Sequence, residues 1–134
     1  MSPAAIDAPL GNRGLALGGA SNDYGPVPEP RATMAEVNDS TVLLIQIESK
    51  AAIGRIDEIA AVPGIDVLLI GPMDLSQTLG VPGQLEHPDV IGAMREVVRA
   101  AREHGISAGT HSPTVEQCRF WRDEGMTFLA CSSE

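Results

Sequence analysis

The sequence predicts an α/β fold in which about four parallel strands are covered by helices. Three observations predict it. Short runs of Val, Leu and Ile recur along the chain with helix-length segments between them. These runs are nearly continuous rather than alternating, as in strands covered on both faces. Finally, 43% of the residues are hydrophobic but only 3% aromatic, so the core must be aliphatic. At 134 residues the chain can build one real core but is well short of the about 250 residues of a complete (β/α)8 barrel.

Residues 1–31 are broken by Gly18-Gly19, Gly25-Pro26 and Pro28-Glu29-Pro30, which predicts an irregular arm or linker ahead of a domain over 32–134. A short helix is expected over 32–37, ended by the turn-forming Asn38-Asp39-Ser40. The first strand is Val42-Leu43-Leu44-Ile45-Gln46-Ile47-Glu48. Its side chains alternate, so Gln46 and Glu48 point the same way. A helix with Ile53, Ile56 and Ala60 on one stripe follows, closed by Pro63-Gly64, and Val67-Leu68-Leu69-Ile70 forms the second strand, stopped by Gly71-Pro72. A Gly/Pro-bearing loop then runs through Pro82-Gly83.

The best helix begins at Pro88, a residue suited to the first helical position because its missing N–H has no partner there anyway. Val90, Met94, Val97, Val98 and Ala101 line one face, and Gly105 stands where a left-handed C-terminal cap is wanted. Residues 106–109 form the third strand. Ser112-Pro113 has the chemistry to open a helix to about Glu124, closed by Gly125, and residues 127–131 form the fourth strand. Repeated strand–helix–strand units imply right-handed crossovers and a parallel sheet. Half of a (β/α)8 barrel and a small open doubly wound sheet both fit this pattern.

The formal net charge of −9 and pI of about 4.6 argue against nucleic acid or anionic membrane as a partner. No apolar run approaches the roughly 20 residues of a membrane-spanning helix. Cys118 and Cys131 have no metal-type spacing and the N-terminus has no export-signal pattern, so a reducing cytoplasm is expected.

Chemistry in parallel α/β folds lies beyond the carboxyl ends of the strands. Glu48 ends the first strand and Asp74 lies just past the second. On neighbouring strands about 4.8 Å apart, the two carboxylates would reach one mouth. Such a pair suits a hard divalent cation with positions left open for water and substrate. Gln46 could then hydrogen-bond a metal-bound water or a substrate oxygen. Gly71 lets the backbone approach a ligand, and the N–H groups of the following turn could hold the carboxylate of a 2-keto acid. Set beside these are plainer roles: an exposed Glu48 paired to a cation, and Asp74 as a turn or capping residue. His87 is expected to cap a helix, and His104 to complement a helix C-terminus. His111, after the third strand, is kept as a pocket residue. Cys118 is expected to face the core and Cys131 to sit in a strand, with no histidine spaced to activate either; Trp121 is expected to pack. A flavodoxin-like binding module fits least, because Ser49-Lys50-Ala51 lacks a phosphate-binding glycine turn.

From about Met34 to Glu134 the sequence resembles the HpcH/HpaI aldolase/citrate lyase family. The resemblance rests on Val37-Asn38-Asp39, Gln46-Ile47-Glu48-Ser49, Gly64-Ile65-Asp66, Ile70-Gly71-Pro72-Met73-Asp74-Leu75-Ser76, Gly80 and His87-Pro88-Asp89-Val90, with Arg13-Gly14 and Tyr24-Gly25 similar to the linker before the first strand. It implies the C-terminal half of a (β/α)8 TIM barrel, working as a metal-dependent aldolase that cleaves or forms 2-keto-(3-deoxy)-hydroxy acids through a pyruvate enolate. Glu48 and Asp74 would ligate Mg2+, Mn2+ or Co2+, with Gln46 near the metal's water. The backbone around Gly71, Pro72, Met73 and Asp74 would hold the pyruvate carboxylate. The partners implied are pyruvate, an aldehyde, and either further copies of the chain or a complementary N-terminal half. Met73 is larger than the residue usual in the family and would narrow the pocket. The family's acid–base histidine and enolate-stabilising arginine come from strands preceding those represented here, and Arg13 matches only the linker. Loss of one oxyanion donor costs about 3–4 kcal/mol. Poor activity in isolation is therefore expected, and a non-catalytic fragment that binds metal or keto acid, or acts only in assembly, is the alternative.

Overall fold

The structure is a computed structural model that describes residues 19, 24–26 and 29–131. Most of the arm expected over 1–31, with Arg13-Gly14, lies outside the described residues. The chain divides into two compact units, Met1–Leu43 and Leu44–Glu134. In the first, helix α1 spans Pro30–Ser40, with proline in its first turn. It runs past the helix expected over 32–37: Asn38, Asp39 and Ser40 are helical, and the hydroxyls of Ser40 and Thr41 donate to the Val37 carbonyl at its end.

The second unit holds a sheet of four parallel strands, β1 (Leu44–Ile47), β2 (Val67–Ile70), β3 (Ser107–Ser112) and β4 (Phe128–Cys131). The spatial order is β1-β2-β3-β4, identical to the order in sequence. That order decides between the two architectures left open by the apolar pattern. A doubly wound sheet reverses its strand order at a switch point, whereas a barrel adds each strand beside the last. Burial agrees. Ile47, Leu68, Ile70, Ala108 and Thr110 are buried on one face, while Gln46, His111, Phe128 and Ala130 on the other are exposed. One face is covered by helices and the other lines what would be a barrel interior, so the unit is part of a (β/α)8 barrel.

Between β1 and β2 the single expected helix is two short ones, α2 (Lys50–Ile53) and α3 (Ile56–Ala60). Gly54, a poor helix former, stands at the break, and only Ile56 and Ala60 of the expected stripe are fully buried. After β2, the expected loop is instead helix α4 (Pro72–Thr78). Pro72 occupies its first turn, where proline is tolerated, and Leu75 and Ser76 are fully buried. Helix α5 (Pro88–His104) begins and ends where the sequence predicts, and it packs on β2 and β3. His87 caps it through Nδ1, which accepts from the Asp89 N–H at 3.2 Å, and Gly105 closes it at φ 69°. Helix α6 (Val115–Asp123) is capped by Thr114, not Ser112. Ser112 is taken up as the last residue of β3, which runs three residues beyond its expected end at Gly109.

Close packing sets the sheet's geometry. A Cβ on Gly109 would run into the Phe128 carbonyl oxygen and lie 2.8 Å from the Phe128 Cβ, so β3 and β4 can pair here only with glycine at 109. The buried Thr110 hydroxyl donates to the Ile70 carbonyl at 3.2 Å, and among the described residues no buried side-chain polar atom lacks a partner. Nor, among them, is any helix long and apolar enough to cross a membrane.

Candidate active site at the carboxyl ends of the strands

Glu48 follows the last residue of β1, and its position is set by the strand. Ile47 is anchored in the core, so alternation places Gln46 and Glu48 together on the opposite, exposed face. There the Gln46 amide donates from Nε2 to Glu48 Oε2 at 2.7 Å. This charge-assisted hydrogen bond orients the carboxylate. Gln46, expected to act on a metal-bound water or on substrate, thus holds Glu48 directly.

The neighbouring strand completes the arrangement. The Gly71 N–H donates to the Ile47 carbonyl at 3.0 Å, carrying the β1–β2 ladder one residue past β2. A Cβ on Gly71 would sit 3.2 Å from Gln46 Nε2 and from Glu48 Cβ, and 3.3 Å from Glu48 Oε2. Glycine at 71 thus also makes room for the side chains of the adjacent strand, which a Cβ would push aside by a few tenths of an ångström. Gly71 precedes α4, whose first turn carries Pro72, Met73 and Asp74. The first backbone bond of that turn runs from the Leu75 N–H to the Gly71 carbonyl, which leaves the N–H groups of Met73 and Asp74 outside the helix's own ladder. Met73 and Asp74 are both exposed.

Two hydroxyls, those of Thr78 and Ser76, lock these loops together through three hydrogen bonds. Thr78 Oγ1 in α4 accepts from the Lys50 N–H at 3.0 Å, tying the segment after Glu48 to the helix that carries Asp74. Ser76 Oγ donates to the Met73 carbonyl at 2.6 Å and accepts from the Gly83 N–H at 2.9 Å, fixing the turn of Met73 and Asp74 against the following loop. The residues joined by Thr78 stand 28 apart in sequence.

The donor set offers two carboxylates, one at the end of β1 and one in the turn after the adjacent β2, and among the described residues no group of three or more His, Cys, Asp or Glu is placed to hold a metal ion. All-oxygen donors of low number suit a hard divalent cation that keeps several waters, so the residues fit such an ion and do not fit a four-ligand structural zinc site. The remaining candidates fall elsewhere. His87 and His104 lie at the two ends of α5, and Trp121 is buried. Cys118 is half-buried and Cys131 exposed. The Cys131 thiol is pushed up by its hydrogen bond to Cys118, then by burial and nearby negative charge, which disfavours the nucleophilic thiolate. His111 is exposed at the end of β3.

A cavity of about 420 Å³ lies among α5, α6 and the end of β3, walled by Ile91, Met94, Thr110 and Trp121 and lined also by Pro72 and His111. Gln46, Glu48 and Asp74 do not line it. Gln46 and Glu48 therefore belong to the open sheet face rather than to this cavity.

Residues 9–134 match the HpcH/HpaI aldolase/citrate lyase family. The 5-keto-4-deoxy-D-glucarate aldolase of Salmonella paratyphi C is 34% identical over 126 residues, which is 94% of this chain and 48% of the relative. That of Klebsiella pneumoniae is 33% identical over the same shares. This chain thus spans about half the length of the curated relatives it matches. Among solved structures, an HpcH/HpaI aldolase from Desulfitobacterium hafniense DCB-2 superposes with a TM-score of 0.85 at 35% identity, covering 98% of this chain and 51% of that one. A family protein from Burkholderia cenocepacia J2315 gives 0.84 at 28%, covering 97% and 51%. A match over nearly the whole chain, in sequence and in fold, means that the chain belongs to the HpcH/HpaI aldolase/citrate lyase family.

Proposed function

We propose that this chain supplies the cation-binding half of a carbon–carbon lyase, an aldolase that cleaves or forms 2-keto-(3-deoxy)-hydroxy acids through a pyruvate enolate. Glu48 and Asp74 hold a divalent cation, Mg2+ or Mn2+ with Co2+ as a substitute. The observation that carries the reading is the Gln46–Glu48–Gly71 contact, which fixes one carboxylate at the strand end beside the turn that bears the other. When bound, the cation supplies Lewis acidity towards a keto oxygen.

The chain's own residues bind and orient. The N–H groups of Met73 and Asp74 suit the carboxylate of a 2-keto acid, and the Ser76 and Thr78 contacts keep that turn in place. Gln46 fixes the rotamer of Glu48. The exposed Met73 side chain stands beside that turn and would narrow the space next to the carboxylate. In cleavage the substrate hydroxyl loses its proton as the carbon–carbon bond breaks and an aldehyde departs. The bond's electron pair enters the keto group, and protonation of the resulting enolate gives pyruvate. The relatives that act on 5-keto-4-deoxy-D-glucarate support a hydroxylated keto-diacid as the substrate. Because the chain spans half of those relatives, full turnover is assigned to an assembly with a complementary half or with further copies.

Exchange of the pyruvate methyl protons with D2O, followed by proton NMR with Mg2+, tests this on the full chain. Wild type should accelerate exchange, and Glu48→Ala should lower the rate by roughly 10²-fold or more. Equal rates in the two remove Glu48 from the mechanism. Pyruvate and cation binding without exchange would leave a binding fragment in place of a catalyst.

A further inference from the structure

Two thiols meet on the helix-covered side of the sheet. Register sets one of them: Cys131, the last residue of β4, pairs with Ser112, whose side chain is buried beneath the helices. Residues paired across parallel strands share a face, so Cys131 is turned towards the helices and away from the face of Gln46 and Glu48. Helical spacing sets the other. Cys118 stands three residues before the buried Trp121, and positions three apart lie on one side of a helix, so Cys118 is on the inward side of α6. Helix α6 packs on β3 and β4, and the thiols of Cys131 and Cys118 are hydrogen-bonded to each other. Both cysteines are free, Cys118 half-buried and Cys131 exposed.

Neither an inert core cysteine nor a metal ligand describes this pair. The exposure of Cys131 admits a small reagent, and among the described residues no group of three or more His, Cys, Asp or Glu is placed to hold a metal ion. Contact between the two thiols puts one within reach of any sulfur–sulfur bond formed at the other. We infer that Cys118 and Cys131 are a reversible modification site, which a low-molecular-weight disulfide oxidises to a bond between α6 and β4. The Cys131 thiolate attacks one sulfur of the small disulfide, forming a mixed disulfide and expelling one small thiolate, which takes up the proton Cys131 lost. The Cys118 thiolate then attacks the Cys131 sulfur, closing the protein disulfide and expelling the second small thiol, which carries the proton of Cys118. The two cysteines are oxidised and the small disulfide is reduced to two thiols. In a reducing compartment the dithiol is the resting form and the bond is transient. Once formed, it fastens β4, an outer strand of the described sheet, to the helix that covers it.

The test treats the full chain with glutathione disulfide. Mildly alkaline pH is used, because the Cys131 thiol is pushed up by its hydrogen bond to Cys118, then by burial and by nearby negative charge that includes Glu116. The intact mass should fall by two hydrogen atoms with no glutathione retained, and peptide mapping should join Cys118 to Cys131 within one chain. Dithiothreitol should reverse both changes. Cys118→Ser, which lacks the second thiol, should retain one glutathione on Cys131. The equilibrium constant of the wild-type pair against glutathione should be at least about tenfold larger in buffer than in concentrated urea, because a bond that the fold favours is one that favours the fold. Circular dichroism identifies a Cys118→Ser chain that fails to fold, and the wild-type mass, map and urea comparison then decide alone. A wild-type chain that stays unmodified, that retains glutathione on both cysteines, or that is joined to a second chain through Cys131 overturns the inference. So does an equilibrium constant no larger in buffer than in urea.

Discussion

At position 71 the absence of a single carbon allows two side chains of the neighbouring strand to meet. A methyl group there would press on the Gln46 amide, the Glu48 Cβ and the Glu48 carboxylate at 3.2–3.3 Å. Two of these are the mobile ends of side chains, so Gly71→Ala should displace the carboxylate while sparing the fold. A thermal melt close to wild type, with divalent-cation affinity lowered in calorimetry, is expected. Gln46→Ala removes the partner that orients Glu48, and loss of such a supporting hydrogen bond typically costs 10–100-fold in metal affinity. Unchanged affinity in Gln46→Ala would mean that Glu48 needs no orienting partner. The shared face of Gln46 and Glu48 was legible in the sequence, because a strand's period of two fixes it. The reason for Gly71 was not, since the atoms it accommodates belong to another strand whose register the sequence does not display.

Among the elements, those with a long, one-sided apolar face were legible and the short ones were not. Helix α5 carries its proline, apolar stripe and left-handed glycine cap in plain order. Helix α4 is seven residues long, and its Gly-Pro start is equally the punctuation of a loop; what holds it is burial of Leu75 and Ser76 and the ties to Lys50 and Gly83. Helix α6 shows the same limit at its cap, because Ser112 and Thr114 both have capping chemistry. Only the structure assigns the cap to Thr114, whose Oγ1 accepts from the Gln117 N–H at 3.2 Å. Thr114→Ala should therefore cost about 1 kcal/mol in urea denaturation. The far end of α6 is tied to α5 by a two-pronged ion pair, Arg95 Nε and Nη2 to Glu124 at 2.8 and 2.7 Å. The Arg95 hydrogen bond holds the Glu124 carboxyl below its ordinary value of 4.5. A carboxylate depressed in this way contributes stability above that ordinary value and loses it as pH falls through the lower, folded-state value. Glu124→Gln should accordingly flatten the stability profile below about pH 4.5 relative to wild type, as followed by thermal melts across pH.

The molecule as a whole takes its architecture from strand order, which apolar periodicity leaves undetermined. Sequential parallel neighbours and one helix-covered face make the second unit a barrel segment, in agreement with relatives about twice as long. The outer strands of the described sheet are β1 and β4, and exposed strand edges favour association. Size-exclusion chromatography should show the chain as an oligomer, and a compact, stable monomer would count against assembly with further copies. The site reading depends on Glu48 and Asp74 acting on one ion, and titration with Mn2+ followed by electron paramagnetic resonance measures this most directly. Wild type should bind one Mn2+ per chain, with affinity lowered by at least about tenfold in Glu48→Ala and equally in Asp74→Ala. Folded variants that both bind Mn2+ as tightly as wild type would contradict it.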